Sequence, residues 1–381
     1  MSFVKKNLDL TGILQQKVFE GPRHVVIDLT NRCNTNCIAC WTYSPMLKPE
    51  NKPNKSWFKE TLNIDRLLYL IEDLHELGVE RIRFTGGGEP LLFKGVDRLI
   101  SEIKSRNIWL AITTNGLLLD ESRVKLLRDL KVDEIAISLW AATGETYKKN
   151  HPKSKDGEFW RILKSLEALK TGEWSPSLHM LNVINSLNVH EIEKMADLAR
   201  NLRFDSIYFT LVDAMKDTHS LLLNKEERDE ALKQVYRVKQ RFYGDLEINF
   251  DNFQGFEDRL KSASNDKEYD RNKLDSLPCT MGWHFARITA DGFVAPCCKG
   301  VDYKMGNINN DRFKKIWINH KYQEFRQLSY NEKKDHPYFS KMGCYQMCDN
   351  LMHIEEIQKR LDRINSGEKE SILNYSGVQV Q

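Results

Sequence analysis

The sequence predicts an α/β protein: a partial (β/α)6 barrel followed by a small C-terminal α+β domain. Two observations lead there. Between residues 24 and 210, short β-type runs alternate with stretches of helical periodicity, the pattern of a parallel sheet covered by helices. After residue 211 the alternation stops, and short strands and turns surround a separate group of cysteines. Six units are too few to close an eight-stranded barrel, so an open, curved sheet is expected.

The elements follow in order. Residues 24–30 read as a buried strand, and Leu67, Leu68, Ile71, Leu74 and Leu77 then line one helical face. Strands are predicted at 81–85, 109–113, 134–139, 178–184 and 206–210, with helices between them at 96–105, 122–130, 159–169 and 189–202. A charged amphipathic helix spans 224–242, and the polar stretch 255–276 reads as a loop. Ala290-Asp291-Gly292-Phe293 is a hairpin turn with Asp-Gly at its tip. Residues 354–364 read as a helix and the last dozen or so as a flexible tail. The expected divisions are 1–23, an N-terminal extension; 24–210, the barrel; 211–278, a bridging helix and loop; 279–350, the cysteine-bearing domain; and 351–381, the final helix and tail.

Composition narrows the function. The chain has 381 residues, and 57 basic against 54 acidic side chains leave a formal charge of +3. Such even charge lacks the basic field of a general nucleic-acid binder. No segment approaches the apolar length of a membrane helix, and no signal sequence stands at the start, so a cytoplasmic protein is expected. Eight cysteines in a long intracellular chain point to metal or redox chemistry rather than a disulfide framework.

Their placement is uneven: three fall between 33 and 40, and five between 279 and 348. Two clusters imply two sites. Cys33-x3-Cys37-x2-Cys40 lies just past the first strand, at the end of the sheet where α/β proteins place their chemistry. A four-iron cube takes four thiolates, so three closely spaced cysteines leave one iron open to a cofactor or substrate. The alternative is a structural zinc loop, whose fourth ligand would have to come from far along the chain.

Here the sequence resembles the radical S-adenosylmethionine (SAM) superfamily, whose hallmark is this cysteine spacing after the first barrel strand. The run Phe84-Thr-Gly-Gly-Gly-Glu-Pro90 resembles the family's Gly-Gly-Glu-Pro element, with one extra glycine. The resemblance implies SAM contacts from Gly87, Gly88 and Glu89, where glycine admits close backbone approach and Glu89, or the carbonyls beside it, accepts from the SAM ammonium. Thr114 and Asn115, in Thr113-Thr-Asn-Gly116, and Ser138 at the end of the fourth strand are implied near the methionine or ribose. Ala39 departs from the aromatic residue many members carry there; Trp41 is the candidate to cover the adenine instead. The implied chemistry is reductive cleavage of SAM, bound to the open iron, into methionine and a hydrogen-abstracting 5′-deoxyadenosyl radical. An electron donor such as flavodoxin or ferredoxin is implied as a partner.

The downstream block resembles the auxiliary-cluster extensions called SPASM and twitch, through Cys279, Gly292-x4-Cys297, Gly306-Asn-Ile308 and later cysteines. Cys279, Cys297, Cys344 and Cys348 are then the implied ligands of one auxiliary [4Fe–4S] cluster. Cys298 is the spare thiol, although it could replace Cys297; it is either a small buried residue or a hydrogen-atom donor to a substrate radical. A saturated cluster passes electrons rather than binding substrate. The expected reaction is oxidation of a small hydroxylated molecule of sugar or aminocyclitol type. Epimerisation of a sugar with Cys298 as donor is the alternative. Peptide modification ranks third, because only 23 residues precede the first strand.

Overall fold

The structure, a computed structural model, describes residues 8–171, 173–242, 249–250, 252–262 and 268–366. In chain order the elements are α1 (Leu8–Leu14), β1 (His24–Asp28), α2 (Ile64–Glu76), β2 (Arg81–Thr85), α3 (Val96–Ser105) and β3 (Trp109–Thr114). Next come α4 (Glu121–Asp129), β4 (Glu134–Ser138), α5 (Gly144–Asn150), α6 (Glu158–Leu169), β5 (Ser177–Ile184), α7 (Ile192–Asn201) and β6 (Ser206–Leu211). Then follow α8 (Lys225–Phe242), β7 (Asn249–Phe250), α9 (Phe253–Ser262), α10 (Arg271–Leu274), α11 (Met281–His284), β8 (Phe285–Ile288) and β9 (Phe293–Ala295). The series ends with β10 (Gly306–Asn307), α12 (Phe313–Trp317), α13 (His320–Asn331) and α14 (Leu351–Asn365).

The chain forms two compact units, one of Met1–Ile27, Leu62–Ile82 and Ser264–Gln381, the other of Asp28–Thr61 and Arg83–Ala263. In the second unit β3, β4, β5, β6 and β7 run parallel in that order, with pairings such as Ile135↔Leu178 and Met180↔Ile207. One face of these strands is apolar and sealed: Ile112, Ile135, Ile137, Leu178, Met180 and Ile207 are fully buried. The opposite face carries Ser138, Leu181, Tyr208 and Thr210, each partly exposed. That inequality is what a curved parallel sheet produces when helices cover one side and the concave side is left for a ligand.

The loops after the strands are held by caps written into the sequence. Asp120 accepts from the Arg123 backbone at the start of α4, and Thr143 does the same for Thr146 in α5. Helix α5 was not anticipated from the sequence, because Gly-Glu-Thr-Tyr-Lys-Lys-Asn carries almost no apolar period.

In the first unit, β8 lies parallel to β1 in the register His24↔Phe285 to Ile27↔Ile288, and β9 and β10 continue antiparallel. The expected hairpin is present, with Gly292 at φ +87° and Asn307 and Asn309 side chains donating to the Asp291 carbonyl at 3.1 and 3.2 Å. Arg312 reaches buried Asp73 on α2 at 2.6 Å and Glu72 at 2.7 Å, while the Trp317 indole donates to the Glu20 carbonyl at 2.9 Å.

One expectation fails. The stretch read as a loop from 255 to 276 contains α9 and α10; Phe253, Phe256 and Leu260 fall at helical spacing and are buried, which the surrounding charges masked. The predicted C-terminal tail beyond residue 366 and part of the N-terminal extension lie outside the described residues. No helix among the described residues is long and apolar enough to cross a membrane.

Candidate active site and cluster sites

The loop after β1 is pinned at both ends. Asn31 donates from its backbone to the Glu60 carbonyl at 3.0 Å and from its side chain to the Trp57 carbonyl at 3.1 Å. The Tyr43 hydroxyl donates to the Asn31 carbonyl at 2.6 Å and accepts from the Cys33 backbone at 3.2 Å, closing the loop around its three cysteines. Within it the Cys40 backbone donates to the Cys37 carbonyl at 3.0 Å, and the Tyr43 backbone donates to the Cys40 sulfur at 3.3 Å. Burial pushes the Cys33 thiol up to about 11 and the Cys37 thiol well above its ordinary value, and neighbouring thiols in the trio add to both shifts. The Cys33 and Cys37 thiols, raised in this way, become favourable as thiolates when a cationic iron centre lies among the three sulfurs. The donor set therefore fits the group.

The glycine run packs directly on this loop. A Cβ on Gly88 would stand 2.2 Å from the Arg32 carbonyl oxygen, and one on Gly87 2.2 Å from the Asn31 side-chain oxygen. A Cβ on Gly86, at φ +128°, would stand 2.6 Å from the Asp28 side chain. The glycines thus let the end of β2 and the cysteine loop touch backbone to backbone.

Glu89 is 2% exposed, and both its oxygens are occupied. One accepts from Leu91 N at 3.1 Å and Thr114 Oγ1 at 2.7 Å, and the other from Asn115 N at 2.9 Å. Burial raises its pKa, against the pull of these donors. Glu89 thus ties the end of β2 to the turn after β3. Asn115 extends the tie by donating to Asn34 Oδ1 at 2.8 Å, inside the cysteine loop. Because Glu89→Gln replaces an acceptor by a donor facing Thr114 or Asn115, it should weaken SAM binding about tenfold or more, from the cost of a buried mismatch. Equilibrium dialysis checks this, and unchanged SAM affinity would reject it.

The other candidates, Ser138 and Trp41, lie on the same unit. Ser138 ends β4 and is partly exposed. Trp41 is 44% exposed, and its indole nitrogen donates to the Asp213 carbonyl at 3.0 Å, beyond the end of β6. Sequence reasoning missed Asn31, Asn34, Tyr43 and Trp57; each acts through a contact distant in sequence, so no local motif marks it.

In the first unit a buried, largely apolar cavity is lined by Cys279, Cys297, Cys344 and Cys348, with Met281, Phe325 and Phe339 around them. Cys298 is not in that lining, although it packs against the same apolar cluster as the other four cysteines, and its carbonyl accepts from Arg287 at 3.5 Å. The Gly300 backbone donates to the Cys297 sulfur at 3.2 Å. Burial raises the pKa of all four lining thiols. Lys334, 6% exposed and also in the lining, opposes that shift at Cys279 and Cys344; its ammonium donates to the Ser329 carbonyl at 2.8 Å. A cation beside buried thiolates suits a cluster that carries net negative charge. Among the described residues, no three His, Cys, Asp or Glu side chains converge tightly enough to hold a single metal ion.

With this geometry in place, the comparisons with known proteins define the class. Residues 27–199 match the radical SAM superfamily, and residues 279–349 match the SPASM iron–sulfur cluster-binding domain. The chain is a radical SAM enzyme with a SPASM domain, and that pairing implies a SAM-binding [4Fe–4S] cluster together with auxiliary iron–sulfur binding. Among its relatives are the AdoMet-dependent heme synthase of Methanosarcina barkeri, 24% identical over 313 residues, covering 81% of this chain and 85% of that protein. The GTP 3′,8-cyclase of Helicobacter pylori is 26% identical over 301 residues, covering 76% and 85%. The fold is shared with Streptococcus suis SuiB bound to S-adenosylmethionine, at TM-score 0.63 and 15% identity over 92% of this chain and 76% of that one. Relatives that make such different products leave the reaction to be argued from the site.

Proposed function

We propose that the protein oxidises a small hydroxylated substrate, of sugar or aminocyclitol type, by hydrogen-atom abstraction followed by removal of a second electron. Cys33, Cys37 and Cys40 hold the SAM-binding cluster, and Cys279, Cys297, Cys344 and Cys348 hold one auxiliary cluster. The observation that carries this reading is the meeting of four cysteines, and not Cys298, around one buried cavity. Four thiolates occupy four irons and leave no position for substrate, so a centre of this kind serves electron transfer. When bound, SAM on its cluster supplies the oxidant that removes a hydrogen atom, and the auxiliary cluster supplies an acceptor for the next electron.

The chain's own residues do the positioning. Tyr43 and Asn31 fix the cysteine loop, the glycine run brings backbone against it, and Glu89 and Asn115 lock the neighbouring turn. The partly exposed Ser138, at the end of β4 on the less buried face of the sheet, gives a hydroxyl group suited to a hydroxylated ligand. At a carbinol carbon the balance is simple. One hydrogen atom leaves to the radical, one electron leaves to the acceptor, and the hydroxyl proton leaves to solvent, giving a carbonyl.

Anaerobic turnover with a panel of sugars and aminocyclitols tests the reading. Equal amounts of 5′-deoxyadenosine and carbonyl product are expected; 5′-deoxyadenosine with no oxidised product from any of them would sink it.

A second reading has its own observation. Because Cys298 lies outside the cavity lining, its thiol is not needed as a fourth ligand there, and it is the candidate hydrogen-atom donor of a sugar epimerase. In deuterated water an epimerase would place deuterium at the inverted carbon. Cys298→Ala would then stop inversion while SAM cleavage continued. Under the oxidation reading the same variant keeps carbonyl formation within about twofold, as expected for a residue outside the reacting groups.

A further inference from the structure

We propose that residues 145–164, which run from α5 into α6, form the docking face for a small acidic one-electron carrier of the flavodoxin type. The inference rests on the reading that Cys33, Cys37 and Cys40 hold a cluster reduced from outside the chain.

Position is the first argument. The Ile38 backbone donates to the Asn150 carbonyl at 2.8 Å, and the Lys153 backbone donates to Asn36 Oδ1 at 2.8 Å. Asn36 and Ile38 flank Cys37, so the end of α5 and the loop after it clasp the cysteine loop itself. Tyr147, buried beneath this surface, stacks on buried His151 at 4.3 Å, and Trp140 lies against His151 at 5.6 Å. A carrier seated here would face the wall of the cluster loop, and electron tunnelling favours the shortest approach.

Charge is the second. Lys148, Lys149, Lys153, Lys155, Arg161 and Lys164 are all exposed, against the acidic Glu145, Asp156 and Glu158. These twenty residues carry a net +3, as much as the whole 381-residue chain. The acids are already engaged: Glu145 pairs with Lys149 at 2.8 Å, Asp156 with Lys148 at 2.6 Å, and Glu158 accepts from the Lys155 backbone at 2.8 Å. The ammonium groups of Lys153, Lys155 and Lys164 have no carboxylate partner among the described residues.

The third is an exposed aromatic. Trp160 is 65% exposed within this basic stretch, its ring held edge-on by Phe159 at 5.1 Å. A basic run by itself is ordinarily a solvated face. An exposed indole that shares a surface recess with Lys148 and Lys155, whose acidic neighbours Glu145 and Asp156 are already paired, is instead the composition of an association surface, with an aromatic anchor beside charges that steer an acidic partner. Docking sets up a balanced step: the flavin hydroquinone gives up one electron and becomes the semiquinone, and the oxidised cluster takes that electron.

The test uses the reconstituted full-length enzyme, an acidic flavodoxin, and two variants: the triple charge reversal Lys153→Glu/Lys155→Glu/Lys164→Glu, and Trp160→Ala. Calorimetric titration should show affinity that falls with salt, and a loss of about tenfold or more in each variant. SAM cleavage driven by flavodoxin should fall in parallel. Cleavage driven by dithionite, and the electron paramagnetic resonance of the dithionite-reduced protein, should stay as in the parent. Unchanged flavodoxin affinity and flavodoxin-driven cleavage in both variants overturn the proposal and leave the surface to another ligand. If the triple variant loads iron poorly, Trp160→Ala decides alone on the same two readouts. Failure of the cluster reading looks different: the parent itself would cleave no SAM even with dithionite.

Discussion

Cys37→Ala should abolish SAM cleavage and halve the iron, whereas Cys344→Ala should halve the iron and spare SAM cleavage. Two four-iron cubes give about eight irons and eight sulfides per chain in the reconstituted parent, and each variant should retain about four of each. Cys37 is the most confined of the three loop thiols: burial holds it protonated in the metal-free state, and Cys40 and Cys33 oppose its charge further. Removing it leaves two thiolates for a cube that already has an open corner. Cys344 belongs to the cavity in the other compact unit, with Cys279, Cys297 and Cys348. Its loss should therefore leave 5′-deoxyadenosine formation in place and remove the oxidised product. Metal and sulfide analysis alongside product assay checks both halves. Full iron in Cys37→Ala, or oxidised product from Cys344→Ala at the parent rate, would contradict the assignment of ligands.

Gly88→Ala should be nearly as damaging although it removes no ligand. The added carbon would stand 2.2 Å from the Arg32 carbonyl oxygen, with the Asn31 carbonyl carbon at 2.6 Å. Both neighbours are backbone, so no rotamer change relieves the clash, and the cysteine loop has to move. Overpacking typically costs about 1–3 kcal/mol, and here the displaced segment carries the cluster ligands, so SAM cleavage should fall by about a hundredfold or more. Gly78→Ala is the control. Its φ of +75° makes alanine cost about 1 kcal/mol, yet nothing lies within 4 Å of the new carbon. A modest drop in melting temperature with unchanged SAM cleavage is expected there. Equal losses in the two variants would mean that contact with the cysteine loop is not what makes Gly88 necessary.

Much of the site was legible because its signals are local. Three thiolates supplied to one small centre by a single loop must lie close along the chain, and Cys33, Cys37 and Cys40 display that spacing. The glycine run and the Asp291-Gly292 turn carry backbone requirements that few residues meet. The parallel strands were legible because burial writes continuous apolar runs such as Leu110–Ile112 and Ile135–Ile137. Helices α5 and α9 were not: one has almost no apolar period, and the other hides Phe253, Phe256 and Leu260 among charges.

By itself, then, the sequence determined the class of protein, the two groups of cysteines, and the order of strands that carry the SAM-site candidates. Only the tertiary structure decided that Cys297 rather than Cys298 lines the buried cavity, that Glu89 is consumed in tying β2 to the turn after β3, and that Asn34, Tyr43 and Lys334 lie against the two groups of cysteines. Adjacent cysteines are equivalent as letters and differ only in where the backbone aims each sulfur. The other contacts join residues far apart in the chain, and packing alone brings them within reach of a hydrogen bond or a charge.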